Sequence, residues 1–125
     1  MSRSVLYLSV PGLRAVDLAT MPNLQKIAKS GSQATLVPSF PCVTWPVQCN
    51  MLCGCLPDEH GVVANGFYWR DSHRVEMWTA WNKTIQQPQI WDILGKLGKS
   101  SAAWFPMLSK GCGAETVCMP APIHN

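Results

Sequence analysis

The chain has 125 residues, 47% of them apolar and 14% charged, with a formal net charge of +3. That length suits one domain core, and that composition excludes a disordered chain or a charged coiled coil. The scattered lysines and arginines argue against a nucleic-acid duplex or an anionic membrane as the main partner. The apolar run Val5–Val10 is too short for a secretory h-region and lacks a small-residue cleavage site. Nothing in the sequence approaches the ~20 apolar residues that span a bilayer. A cytoplasmic location is the resulting expectation.

In chain order, SVLYLSV (residues 4–10) predicts a buried first strand, ended by Pro11-Gly12. TMPNLQKIAKSG then predicts a helix. Thr20 can cap it, Pro22 suits its first turn, Leu24, Ile27 and Ala28 form an apolar face, and Gly31 stops it. QATLVP (residues 33–38) reads as a second strand. A short helix follows, with Thr44 as its cap, Pro46 in its first turn and Gly54 as terminator. GFYWRDSHRVEMWT (residues 66–79) carries two aromatic or β-branched runs around Asp71-Ser72, which predicts a hairpin. PQIWDILGKLGK (residues 88–99) predicts an amphipathic helix, and SAAWF (residues 101–105) and ETVCM (residues 115–119) predict strands. Strands alternating with helices imply an α/β domain with a mostly parallel sheet. The tail PAPIHN offers no closing element.

Six cysteines stand at 42, 49, 53, 55, 112 and 118. Without a secretory signal or a Cys-x-x-Cys pair, they are expected to be reduced, buried thiols rather than disulfides or a zinc cluster. Six tryptophans, at 45, 69, 78, 81, 91 and 104, are spread too widely for one stacking surface and are assigned to packing.

Thr44 lies between Pro41 and Pro46. A threonine hydroxyl needs a base or a metal to become a nucleophile, and a helix N-terminus suits a phosphate. Taken alone, a threonine at a helix start is a common structural device. Its surroundings are more specific. In order, the chain carries GLR at 12–14, PNL at 22–24, Thr44-Trp45-Pro46, Cys53-Gly54 and PDEHGVVAN at 57–65. This series resembles the N-terminal part of a type I phosphodiesterase/nucleotide pyrophosphatase domain, of the alkaline phosphatase superfamily.

The resemblance covers residues 4–98. It implies an alkaline-phosphatase-like three-layer sandwich, of which the chain would be the N-terminal part. It also implies metal-dependent hydrolysis of phosphodiester or nucleotide pyrophosphate bonds. Thr44 matches the nucleophile, which in the family is also a metal ligand. Asn65, 21 residues later, matches the amide that donates to a phosphoryl oxygen. Two divalent ions of the zinc type would activate nucleophile and leaving group, with most of their ligands outside this chain. The substrate would be a nucleotide or another small phosphodiester. His60 belongs to a His-Gly step that is structural in the family and is kept out of the site.

Two features depart from the pattern. Pro11 stands where the family's first metal-binding aspartate precedes Gly-Leu-Arg, and Asp17 could replace it only through a remodelled turn. Val47-Gln48 stands for Asn-His, as in a subgroup that the NGFYWRD segment also fits. His73 and His124 are expected to be solvated. The alternatives are a phosphomonoesterase or phosphonate hydrolase of the same superfamily, or a noncatalytic remnant binding a nucleotide or a partner. The isolated chain is expected to be inactive and prone to self-association.

Overall fold

The computed structural model describes residues 4–120, so His124 and the end of the PAPIHN tail lie outside the described residues. The chain divides into two compact units, Met1–Leu36 and Val37–Asn125.

In the first unit, Pro11 and Gly12 occupy the middle of a turn closed by Leu13 N–H donating to the Val10 carbonyl at 3.3 Å. Gly12 has φ +82°, the left-handed backbone that the third position of a type II turn requires. A 3-10 helix, Ala15–Thr20, leads into helix α1, Pro22–Ser30. Pro22 opens α1 as predicted, where its missing N–H removes no helical bond. Thr20 does not cap α1: it ends the 3-10 helix, donates its hydroxyl to the Asp17 carbonyl at 3.0 Å, and leaves the cap position to Met21. Leu24 and Ala28 are half-buried while Ile27 is exposed, so the apolar face of α1 is only partly covered.

The strand expected over residues 4–10 is not formed; Val5 and Leu6 are 93% and 86% exposed. An apolar β-rich run reports that a segment suits burial between neighbours, but only a paired neighbour makes it a strand. Residues 33–38 likewise form no strand, for the same reason.

The second unit opens with helix α2, Thr44–Cys53, which ends at Gly54 in the left-handed region with its N–H on the Asn50 carbonyl at 2.8 Å. A single turn, α3 (Pro57–His60), follows; it is too short to leave a periodic pattern in the sequence. The predicted hairpin is present as β1 (Gly66–Trp69) and β2 (Arg74–Met77), antiparallel, with Gly66 opposite Met77 and Trp69 opposite Arg74. A Cβ at Gly66 would meet the Met77 side chain, which would have to move to admit it. Helix α4, Ile90–Lys96, is shorter than predicted and starts at Gln89, whose N–H donates to the Asp92 carboxylate at 2.7 Å. Strands β3 (Ala102–Trp104) and β4 (Thr116–Cys118) pair in parallel. The described residues thus form an α/β arrangement with two two-stranded sheets, one of each sense. The mostly parallel sheet of a three-layer sandwich is not seen among them.

The core of this unit is small: Trp45, Cys49, Val62 and Leu108, with Phe67, Ile85 and Met107 packed against them. All six cysteines are free thiols. Only Cys49 is buried and serves as a small apolar residue; burial, then the neighbouring Cys53 and Cys55, push its thiol up to about 12. Buried polar side chains tie the loops together. Gln89 Oε1 accepts from Trp91 Nε1 at 2.8 Å and from the Asn82 amide, which also donates to the Leu108 carbonyl at 2.8 Å.

His60 is completely buried. Its Nδ1 accepts from the Val62 N–H at 3.1 Å, so the neutral ring carries its proton on Nε2 and donates to Asn50 Oδ1 at 2.7 Å. The opposite orientation of the Asn50 amide would reach the Pro46 and Cys55 carbonyls. It would also make both ring nitrogens acceptors, which a neutral imidazole cannot satisfy. The Asn50 amide completes the chain by donating to Ser39 Oγ. His60 therefore locks α2 to α3 and to the segment before α2.

Burial holds the His60 imidazole below its ordinary value. Because the folded value is depressed, His60 adds stability in full above the unfolded value of ~6.5, and loses it as pH falls from there through the folded value. Unfolding midpoints in urea should therefore decline between pH 7.5 and 5, and the His60 ring resonances should titrate below those of an ordinary histidine. A titration at or above the ordinary value would contradict the buried neutral ring.

Large apolar side chains remain uncovered in both units; Phe40 and Trp104 are 94% and 77% exposed. A parallel two-stranded sheet with open edges adds unpaired backbone groups. The isolated chain is expected to self-associate, eluting above monomer size on gel filtration with light scattering; a monomer at tens of micromolar would contradict this.

Candidate functional site

Thr44 is not the cap of α2. Val43 takes that place in extended backbone, and Thr44 is the first helical residue, with its side chain exposed. The four N–H groups that open a helix have no intrahelical partner of the usual kind. Here Val47 N–H reaches the Val43 carbonyl at 3.2 Å, and Pro46 has no N–H at all. Trp45 N–H donates to Asn65 Oδ1 at 3.0 Å. The Val43 and Thr44 N–H groups are therefore the donors of this helix start left without a protein partner among the described residues.

Asn65 thus reaches Thr44's helix from a loop 20 residues beyond Trp45. An N–H donor requires oxygen opposite it, which fixes the amide: Oδ1 faces the helix and Nδ2 is left as a donor. The Asn65 carbonyl also accepts from Trp78 N–H at 3.1 Å, so the residue is held at both ends of its own unit. The two residues singled out in the sequence are brought together, through Trp45 rather than by direct contact. Thr44 N–H and Asn65 Nδ2 are the donors this corner offers to an anion.

Aromatic packing supports the corner. Trp45 is buried, stacks on Phe67 at 6.5 Å and meets Trp78 edge-on at 5.6 Å. The sequence assigns Trp45 and Trp78 only to packing and Phe67 only to the hairpin. Their further role is to seat the Thr44–Trp45 step against the hairpin, for which the Trp directly after Thr44 was the available signal. Trp45 Nε1 is buried without a partner, and the fold offers no physical account of it. Gln48 accepts from Met107 N–H through Oε1 at 2.9 Å and is a structural tie. His60 is also structural, as expected. A cavity of about 420 Å³ lies at the far end of α2, lined by Ser39, Asn50, Gly54 and Cys55, and does not include Thr44.

No three His, Cys, Asp or Glu side chains converge so as to hold a metal ion among the described residues. Pro11 has no ligand atom on its side chain. Asp17 is engaged: both its oxygens receive the Arg14 side chain, at 2.7 and 3.1 Å, and one also receives the Arg14 N–H at 2.8 Å. The Arg14 side chain, then its N–H, hold the Asp17 carboxyl below its usual range. The residues described do not fit a two-metal cage, and the Asp17 carboxylate is committed to Arg14.

Residues 5–121 match the family model of type I phosphodiesterase / nucleotide pyrophosphatase. The chain is also 35% identical over 68 residues to an uncharacterized pyrophosphatase/phosphodiesterase of Schizosaccharomyces pombe, a stretch covering 52% of this chain and 14% of that protein. The match takes in the Thr44 helix, the Asn65 loop and both small sheets, and on that extent the chain belongs to the type I phosphodiesterase/nucleotide pyrophosphatase family.

Proposed function

We propose that this chain supplies the nucleophile and the anion-binding corner of a hydrolase acting on phosphodiester or nucleotide pyrophosphate bonds. The observation that supports it most is the Asn65 Oδ1 bond to Trp45 N–H at 3.0 Å, which sets a neutral amide donor beside the first residue of α2. A phosphoryl oxygen between Thr44 N–H and Asn65 Nδ2 would gain both donors as charge develops on it. Thr44 Oγ1 would attack phosphorus, the bond to the leaving oxygen would break, and water would then release the phosphoryl group from Thr44.

No described side chain hydrogen-bonds Thr44 Oγ1, so the proton acceptor for this attack is not among the neighbours of Thr44 within residues 4–120. Members of this family generally depend on divalent metal ions. Because the residues described do not fit a cage, no step is assigned to such ions, and Thr44 as a metal ligand stays part of the proposal only.

Any longer protein that carries this chain should hydrolyse bis(p-nitrophenyl) phosphate. Thr44→Ala should abolish turnover, and Asn65→Ala should reduce it by roughly 10²–10³-fold. Asn65→Asp is the sharper variant. It keeps an acceptor for Trp45 N–H, so the helix start stays seated, but turns the donor into a second acceptor. A folded Asn65→Asp protein with lost turnover supports the anion-binding role; unchanged turnover in Thr44→Ala rules out the mechanism.

A second reading, a noncatalytic phosphate-binding remnant, draws on Pro11 and the lack of a metal-ligating cluster. It predicts nucleotide binding by the full-length protein with no turnover under any divalent ion.

A further inference from the structure

Trp78, the residue directly after β2, has φ +61°. Left-handed backbone suits glycine or asparagine, and a bulky side chain there is under strain. Such strain persists only where the surroundings hold it, so each contact of Trp78 bears on its purpose. Burial is not that purpose, because Trp78 is 39% exposed. Its N–H donates to the Asn65 carbonyl at 3.1 Å, one step beyond the Gly66–Met77 pair of the hairpin. Its ring meets Trp45 edge-on, at 5.6 Å and 86°. His73, Phe105 and Leu108 share the positive φ, and none of them hydrogen-bonds Asn65 among the described residues.

Asn65 and Trp45 are the two partners of the bond that builds the anion corner, Trp45 N–H to Asn65 Oδ1. Trp78 therefore touches both ends of one hydrogen bond, from a third segment of chain. Each contact removes a different freedom. The N–H bond fixes the Asn65 main chain, from which the amide projects. The ring edge keeps Trp45 from rocking at the helix start, a motion that would carry its N–H off Oδ1. An aliphatic side chain would cover similar area without the edge-to-face preference of an aromatic pair. Because the amide is planar, holding Oδ1 also limits where Nδ2 can point.

We propose that Trp78 is a positioning residue for the anion-binding corner, holding Asn65 and Trp45 together so that Asn65 Nδ2 keeps its aim. The proposal rests on the reading of that corner given above, but its test needs no turnover. The full chain is compared with Trp78→Ala, Trp78→Gly and Trp78→Phe by urea unfolding and by hydrogen exchange resolved to single amides. Trp78→Ala should speed exchange of the Trp45 N–H roughly 2- to 10-fold, the worth of one edge-on aromatic contact. The Gly54 N–H, at the other end of α2, should exchange as before. Trp78→Phe keeps an aromatic edge and should restore slow exchange at Trp45. Trp78→Gly also lacks the ring but is relieved of strain, so it should unfold at higher urea than Trp78→Ala. That order is the reverse of the usual one for glycine and alanine. Where Trp78→Ala does not fold, the glycine variant carries the exchange test. Unchanged exchange at Trp45 without the ring would overturn the proposal. So would an equal rise at Gly54, which marks general loosening, or a Trp78→Phe chain that exchanges like Trp78→Ala. A chain without hydrolase activity would still give the expected pattern, so the two readings fail separately.

Discussion

The bond between Trp45 N–H and Asn65 Oδ1 is the constraint on which the second unit's geometry depends. It joins the start of α2 to the loop that leads into the hairpin, across 20 residues of chain. An unpaired N–H at a helix start is ordinarily met by a cap side chain two or three residues earlier. Val43 has no polar atom to do that, so the capping oxygen comes from a distant residue. One consequence is local, a satisfied backbone donor. The other is long-range: the hairpin cannot shift relative to α2 without breaking it. The Trp45, Phe67 and Trp78 rings stack across the same junction, so apolar packing and the hydrogen bond oppose the same displacement.

The remainder of the unit follows similar logic. A core of four buried residues is small, and much of the long-range order runs through buried polar groups. His60 links α3 to Asn50 on α2; Gln89 and Asn82 link the start of α4 to Leu108; Gln48 links α2 to Met107. Each such group is costly if left unpaired, on the order of 1–3 kcal/mol, so each favours one arrangement over its alternatives more than it adds net stability. The single turn α3 is held in the same way, since its last residue, His60, is bonded on both ring nitrogens.

What the sequence made legible was local. Turn chemistry marked Pro11-Gly12 and Gly54, two aromatic or β-branched runs around Asp71-Ser72 marked the hairpin, and the β-rich runs near 102 and 116 marked two strands whose parallel pairing only the structure shows. Capping was misjudged at both Thr20 and Thr44, because a hydroxyl at a helix start can bond backward or face solvent, and only tertiary contacts decide. The runs at 4–10 and 33–38 look like strands for a sound reason, their apolar β-branched content. Strand formation, however, is a property of pairs, and one segment's composition carries no partner. Of the candidate site, the identities of Thr44 and Asn65 were legible through an ordered set of motifs. The bond that relates them runs through a main-chain N–H, which no residue pattern displays.

Two prolines flanking a threonine raise the question of what that rigidity achieves. Pro46 occupies the third position of α2 and removes the N–H that would otherwise point out of the helix start. Asn65 consumes the next one, on Trp45, and Val43 accepts the one on Val47. A helix start with three open donors would accept water or an anion in several poses. Here the backbone donors of Val43 and Thr44 remain, the latter beside the hydroxyl, with the Asn65 amide NH₂ on the residue that bonds Trp45. Subtraction of donors, rather than addition, is what narrows the poses open to a phosphoryl group in the proposed site. It also explains why Trp45 is buried immediately after an exposed Thr44: the burial holds the step still while the hydroxyl stays accessible.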